Sequence, residues 1–302
     1  MREKYQGIFP AFYACYDKDG NIDTKAVKEF TRLLINKGVN GLYVSGSSGE
    51  CIYQDVEERK ILLEAVMEEA KGEIVIIAHV ACNNTRDSIE LAKHAESLKV
   101  DAIAAIPPIY FHLPDYAIAN YWNDISAAAP NTDFIIYNIP QLAGVALSQS
   151  LLKEMMKNKN VIGVKNSSMP VQDIQVFKSL GDKDFIVFNG PDEQLVSGLA
   201  MGAIGGIGGT YAVMPELYLA IYANYKKGDM EKALKLQNLA CAIIYKMCEA
   251  KGNLYATMKE IIRRRDGLNL GSVRLPLYPY TDCDNNVVLE SIELINKALV
   301  EI

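Results

Sequence analysis

Phe134-Ile135-Ile136-Tyr137, then Ser148 to Lys157, then Val161-Ile162-Gly163-Val164-Lys165 make up one full period of this chain's organisation. An apolar run of β type is followed by a stretch of helical period, and then by a second apolar run. Both runs are apolar throughout instead of alternating, as expected of parallel strands covered on both faces. The same beat extends outward in both directions. Further apolar runs fall at Ile8 to Phe12, Gly41 to Ser45, Ile74 to His79, Ala102 to Ile106, Phe185 to Asn189 and Gly205 to Gly208, which makes eight in all. Between them, Lys25 to Lys37, Val56 to Ala70, Asp87 to Leu98 and Val171 to Leu180 carry helical period. Successive runs begin about 20 to 33 residues apart, the length of one βα unit.

Eight such units within about 225 residues predict a TIM (β/α)8 barrel of the α/β class. A doubly wound open sheet normally carries a glycine-rich turn after its first strand. Here the first run leads into Pro10-Ala11-Phe12-Tyr13, with no such turn. The beat stops near Tyr225. Met230 to Lys251, Leu254 to Arg265 and Asn286 to Ile302 then read as helices. The expected organisation is a barrel over 1–225 and a small helical extension over 226–302. Gly267 to Asp284, with Pro276 and Pro279, forms an irregular link before the last helix.

Composition excludes several classes. Half of the 302 residues are hydrophobic, too many for a disordered chain. Lys+Arg 31 against Asp+Glu 37 gives a formal net charge of -6, which argues against nucleic acid as a partner. Residues Gln194 to Pro215 carry no charge and are long enough to span a bilayer. Their glycines and the Asp192-Glu193 flank instead favour a buried helix, strand and turn, so no membrane segment is expected. Six cysteines occur with no CxxC among them. Met1 to Lys4 opens straight into a folded pattern, so we expect no leader and free thiols in a reducing cytoplasm.

The carboxyl ends of barrel strands are where chemistry belongs. Lys165 closes the apolar run Val161-Ile162-Gly163-Val164, so its stem should start inside the barrel. Desolvation there favours the neutral amine, the form that attacks a carbonyl to give a Schiff base. A lysine that merely snorkels to water is the plainer alternative. Tyr137 ends the neighbouring run and could relay a proton in the same cavity, or be a core tyrosine. Ser47 and Ser48 lie between glycines after the second run, a turn that can aim N–H groups and hydroxyls at an anion. It is neither a GxSxG elbow nor a P-loop. Ser150 to Lys153 fits SxxK without its companion motifs. His79, His94 and His112 lack metal-ligand spacing, so no metal and no cofactor are expected. Asp192 and Glu193 suit a helix N-terminus, or face the cavity and accept bonds from substrate hydroxyls. Two acids there disfavour a phosphorylated substrate.

Together these strand-end residues resemble the N-acetylneuraminate lyase and dihydrodipicolinate synthase superfamily of pyruvate-dependent class I aldolases. Gly46-Ser47-Ser48-Gly49-Glu50 is similar to the family's GxxGE carboxylate-binding turn, Tyr137 to its catalytic tyrosine and Lys165 to its Schiff-base lysine. Tyr137-Asn138-Ile139-Pro140-Gln141-Leu142-Ala143-Gly144 and Asn189-Gly190-Pro191-Asp192-Glu193 resemble the lyase branch. The synthases usually carry an arginine shortly after the proline that matches Pro140, in the region that Leu142 occupies here. The resemblance implies that Ser167, Gly190, Asp192, Glu193 and Gly209 line a sugar site, although the lyases often have threonine at the first and serine at the last. It implies that Tyr110 serves catalysis from a subunit contact, in a homotetramer. It also implies cleavage of a 2-keto-3-deoxy sugar acid, N-acetylneuraminate, to pyruvate and N-acetylmannosamine. The alternatives are dihydrodipicolinate synthesis from pyruvate and aspartate semialdehyde, another sugar-acid aldolase or dehydratase, or a barrel that binds ligand without turnover.

Overall fold

The computed structural model describes residues 2–302. Eight short strands carry its architecture. They are β1 (Gly7–Pro10), β2 (Gly41–Val44), β3 (Val75–His79), β4 (Ala102–Ala105), β5 (Asp133–Asn138), β6 (Val161–Asn166), β7 (Ile186–Asn189) and β8 (Gly205–Gly208). Neighbours pair in parallel in the order β1-β8-β7-β6-β5-β4-β3-β2. The two ends of this sheet meet. Ala11 bridges Tyr43 in parallel, and the Phe12 N–H donates to the Tyr43 carbonyl at 2.9 Å. This is the (β/α)8 barrel that the repeat predicts.

The helices between strands begin where polar side chains satisfy their free N–H groups. Asp23 accepts from the Lys25 and Ala26 amides at the start of Thr24–Asn36. Asp55 and Glu58 make reciprocal bonds at the start of Val56–Ala70. Asn84 and Ser148 cap Thr85–Ser97 and Gln149–Met155.

Strand residues divide between two cores. Phe9, Tyr43, Ile77, Ala104, Ile135, Tyr137, Phe188 and Ile207 point into the barrel. Leu42, Val44, Ile76, Ile103, Phe134, Ile136, Val164 and Val187 pack outward against the helices. One irregularity decides what β6 presents inside. Phe134 pairs with Val161, but Ile135 pairs with Gly163, so Ile162 is an extra residue in β6. Simple alternation from the outward Val161 would send residue 165 outward too. The bulge reverses that parity, and Lys165 lies beside Tyr137 on the inner face. Gly163 is required at this point, because a Cβ there would stand 2.2 Å from the Ile186 carbonyl oxygen.

The uncharged stretch resolves into the helix Leu195–Ala200, strand β8 and the turn Thr210–Ala212. No helix among the described residues is long and apolar enough to cross a membrane. After β8 come the helices Pro215–Lys227, Met230–Met247, Leu254–Asp266 and Asn285–Val300. The helix predicted over 230–251 stops at Met247, where the Cys248 N–H closes onto the Ile244 carbonyl.

Helix Leu254–Asp266 sends Lys259 into the mouth of the barrel. Its ammonium donates to Glu50 Oε1 at 2.7 Å and to the Ser272 carbonyl at 2.8 Å. The side chains of Lys259 and Glu50 are 2% and 0% exposed. The Arg274 N–H donates to the other Glu50 oxygen at 2.8 Å. A buried pair of this kind is costly to break, because the survivor is left charged without a partner. Lys259→Met should therefore cost about 3–5 kcal/mol in chemical denaturation, and adding Glu50→Gln should recover much of it. Gly163→Ala should lower stability by about 1–3 kcal/mol, because its new methyl meets the Ile186 backbone, which cannot swing aside, as well as the Ile186 side chain. An unchanged urea midpoint would contradict that account.

Candidate active site

Lys165 ends β6 with its side chain buried and its amine paired with no carboxylate among the described residues. Nζ lies 4.1 Å from the centre of the Tyr43 ring and 3.9 Å from that of Tyr137. Burial lowers the amine pKa to about 7, against an upward pull from Asp192. At neutral pH a large share of this lysine is therefore a free nucleophile, which an exposed lysine is not.

Tyr137 ends β5 across the ladder from Lys165. Burial pushes its phenol up to about 12, and the nearby Ser47 and Ser167 hydroxyls pull the other way. The phenol is thus protonated at rest and surrounded by groups that can carry a proton onward.

The turn after β2 has a strained backbone. Ser45 and Glu50 adopt left-handed angles, with φ of 57° and 56°. Inside it, Gly49, Glu50 and Cys51 N–H groups are used by Gly46 and Ser47 carbonyls. The Ser47 and Ser48 N–H groups take no part in those bonds, and both hydroxyls remain beside them. Two amides and two hydroxyls in one turn can hold a carboxylate. Glu50 anchors the turn from below through the buried Lys259.

Asp192 follows β7 on the short turn Asp192–Gln194. Its Oδ2 accepts from both the N–H and the hydroxyl of Thr210 at 2.6 Å. Burial raises its carboxyl to about 6 despite those bonds. Gly190 lies so close to Ser167 that a Cβ would stand 1.9 Å from the serine oxygen. A Cβ at Gly209 would lie 3.0 Å from Ser48 Oγ, so the two share one wall. Ser47, Ser48, Tyr137, Lys165, Ser167, Gly190, Asp192 and Gly209 thus lie next to one another, pair by pair, at the carboxyl ends of the strands. Glu193 is exposed at its rim.

Tyr110 is the exception among the residues singled out by sequence. It is 86% exposed, at φ 84°, with its ring centre 5.0 Å from that of Phe111. It lines a separate surface cleft of about 600 Å³ with Asn83, Leu113, Tyr116 and Tyr121. Within one chain it does not join the Lys165 cluster.

Other residues of the site gave little sequence signal. Tyr43 looks like any strand aromatic. His79 stands behind both tyrosine rings, at 6.1 and 6.0 Å between centres, with Nδ1 3.0 Å from the Ser45 carbonyl. Burial, and then the neighbouring Arg59, hold it well below the usual histidine range, so it is a neutral packing group. Arg59 donates to the His79 and Ala81 carbonyls at 2.5 and 2.8 Å and so pins the end of β3. Tyr255 reaches in from helix Leu254–Asp266, with its hydroxyl 3.5 Å from Ser48 Oγ.

Comparison with known proteins agrees with this geometry. The model of the Dihydrodipicolinate synthetase family matches residues 4–294. The N-acetylneuraminate lyase of Mediterraneibacter gnavus is 63% identical over 97% of this chain and 93% of its own length. That of Salmonella agona is 32% identical over 92% of this chain and 93% of its own. The solved structure of a Ruminococcus gnavus sialic acid aldolase catalytic lysine mutant is 62% identical and superposes with a TM-score of 0.98, covering 99% of this chain and 98% of that one. From barrel, site and sequence together, the chain belongs to the dihydrodipicolinate synthetase family, within its N-acetylneuraminate lyase branch.

Proposed function

We propose that this protein cleaves N-acetylneuraminate to pyruvate and N-acetylmannosamine through an imine on Lys165. The observation that carries the reading is an amine without a carboxylate partner, buried beside Tyr137 and the Ser47-Ser48 turn. The neutral amine attacks the C2 ketone of the open-chain sugar acid. A C–N bond forms, water leaves, and the nitrogen becomes a protonated iminium. The Ser47 and Ser48 amides and hydroxyls hold the adjacent carboxylate. Tyr137 takes the C4 hydroxyl proton while its own passes to that carboxylate. The C3–C4 bond then breaks, its electrons flow to the iminium, and C4 leaves as an aldehyde. Protonation of the resulting enamine at C3 and hydrolysis release pyruvate and restore the amine.

Ser167, Gly190, Asp192, Glu193 and Gly209 serve the sugar chain in this reading. Asp192 has one oxygen occupied by Thr210, which leaves the other to accept from a hydroxyl. Leu142, 64% exposed, offers no cation for a second carboxylate, so aspartate semialdehyde is the poorer partner. The six free cysteines suit a reducing cytoplasm, and cleavage of a sugar acid would give the protein a place in carbohydrate metabolism.

We further infer a homotetramer. Tyr110, Phe111 and Tyr116 are 86%, 71% and 73% exposed around one cleft, an unusual density of bare aromatic surface. A partner chain covering them would bring Tyr110 to a neighbouring site. Analytical ultracentrifugation should give the mass of four 33.4 kDa chains, and Phe111→Asp should shift it downward. A parent protein that sediments as a monomer at assay concentration overturns this assembly.

Borohydride reduction in the presence of pyruvate should leave an adduct on Lys165 and nowhere else. Lys165→Arg should abolish the adduct and lower pyruvate release from N-acetylneuraminate by at least about a thousandfold. Because only the neutral amine attacks, the trapping rate should rise with pH through about 7 and level off above it. The same preparation should condense pyruvate with aspartate semialdehyde poorly. Absence of the adduct, or better turnover in that condensation, overturns the reading.

A further inference from the structure

The mechanism above leaves Tyr43 without a task, yet its ring is as close to the reacting nitrogen as that of Tyr137. The Lys165 nitrogen is 4.1 Å from the Tyr43 centre and 3.9 Å from the Tyr137 centre, and the two centres are 5.7 Å apart. The squares of the two shorter distances sum to nearly the square of the third, so the angle at the nitrogen is close to a right angle. The ring planes themselves cross at 79°. The nitrogen therefore stands in a corner, above both faces at once. That is the position in which a ring quadrupole attracts a cation.

The hydroxyl of Tyr43 is not what places it there. It is buried and finds no hydrogen-bond partner among the described residues. Ala11 and Phe12 fix the Tyr43 backbone across the barrel seam, while the ring packs against His79 and so close over Gly46 that a Cβ there would stand 2.5 Å from its edge. An apolar side chain of similar size would fill the same space without a buried orphan hydroxyl.

We propose that the Tyr43 ring is part of the catalytic machinery, its π face stabilising the protonated iminium on Lys165 relative to the neutral amine. The inference rests on the Lys165 imine reading. In the step concerned, neutral amine, ketone and one proton give iminium and water. A cation appears where none stood, on a side chain that is buried. The other titratable groups that face this nitrogen are Asp192, Cys51, His79 and Tyr137. His79 is neutral, and Asp192 is shared with Thr210 and the sugar subsite. The two ring faces, about 4 Å away, favour positive charge at that point and ask no proton in return.

The same physics supplies a test that separates electrostatics from packing. Below the amine pKa the reactant is itself a cation in the same corner, so the rings favour both sides equally. Above it the reactant is neutral, and only the iminium gains. The readout is the pyruvate concentration that half-saturates borohydride trapping on Lys165. Residue 43 is varied from Tyr43→Phe to phenylalanines carrying one, two and three ring fluorines, which drain the π face and nearly keep the shape. Tyr43→Phe keeps a π face and drops only the unpartnered hydroxyl, so it is the reference for the series. At about pH 9 the half-saturating pyruvate should then rise stepwise along the series, to roughly 3- to 30-fold if the full attraction is lost. At about pH 5.5 it should change by less than about twofold, since both forms are then cations. A flat series at the higher pH overturns the proposal, and so does an equal rise at both pH values, which marks a packing role. A parent protein that gives no adduct on Lys165 overturns the imine reading itself, and this inference with it.

Discussion

A primary amine held out of water with no carboxylate to pair with is the constraint around which this molecule is arranged. Burying an unpaired ammonium is expensive, so the group sheds its proton instead. That exchange makes Lys165 a nucleophile near neutral pH, and it holds only while the surroundings stay dry and unpaired. The surrounding design keeps them so. The bulge in β6 turns the side chain inward, two tyrosine rings cover it, and His79, whose carbonyl Arg59 holds, backs the rings. The nearest acid, Asp192, has one oxygen tied to Thr210 instead of to the amine.

Charges elsewhere in the mouth of the barrel are spent on position. Glu50 and Lys259 are as deeply buried as Lys165 but are paired and further hydrogen-bonded by Ser272 and Arg274. Such a pair adds little net stability against an apolar alternative. Its value is geometric: it fixes a turn whose flanking residues sit at strained angles, and it ties that turn to a helix more than two hundred residues away. The helical extension is thus joined to the site twice, through Lys259 under the turn and through Tyr255 beside Ser48. The whole-chain charge of -6 has no bearing on how an anionic substrate is held. In the proposed mechanism two amides and two hydroxyls would meet its carboxylate locally, where water competes poorly.

Most of the barrel was legible in the sequence, because each βα unit is a local pattern repeated. The strand runs were read within a residue or two of where the ladder places them. The site was legible where a residue stood out against its run, as Lys165 does at the end of an apolar strand and Ser47-Ser48 do between glycines. Tyr43, His79, Arg59 and Tyr255 were not, since an aromatic in a strand or a charge on a helix is ordinary until its neighbour across the barrel is known. Tyr110 shows the converse. Its place in a single chain is an exposed ledge, and the resemblance that marks it as functional concerns an assembly.

What the sequence by itself determined is the count of strands, their parallel character, and the presence of a lysine, a tyrosine and a serine turn at strand ends. Those are properties of short segments, set by hydrophobic period and by the residues that break it. Which way the lysine points was decided only by the tertiary structure. The reversal depends on Gly163 packing against the Ile186 carbonyl, in a strand not yet paired when the segment is read alone. The right-angled corner of Tyr43 and Tyr137 likewise exists only once β2 and β5 face each other across a closed barrel. Periodicity encodes what is near in the chain. Parity across a bulge and contact across a barrel are set by closure, which no local segment contains.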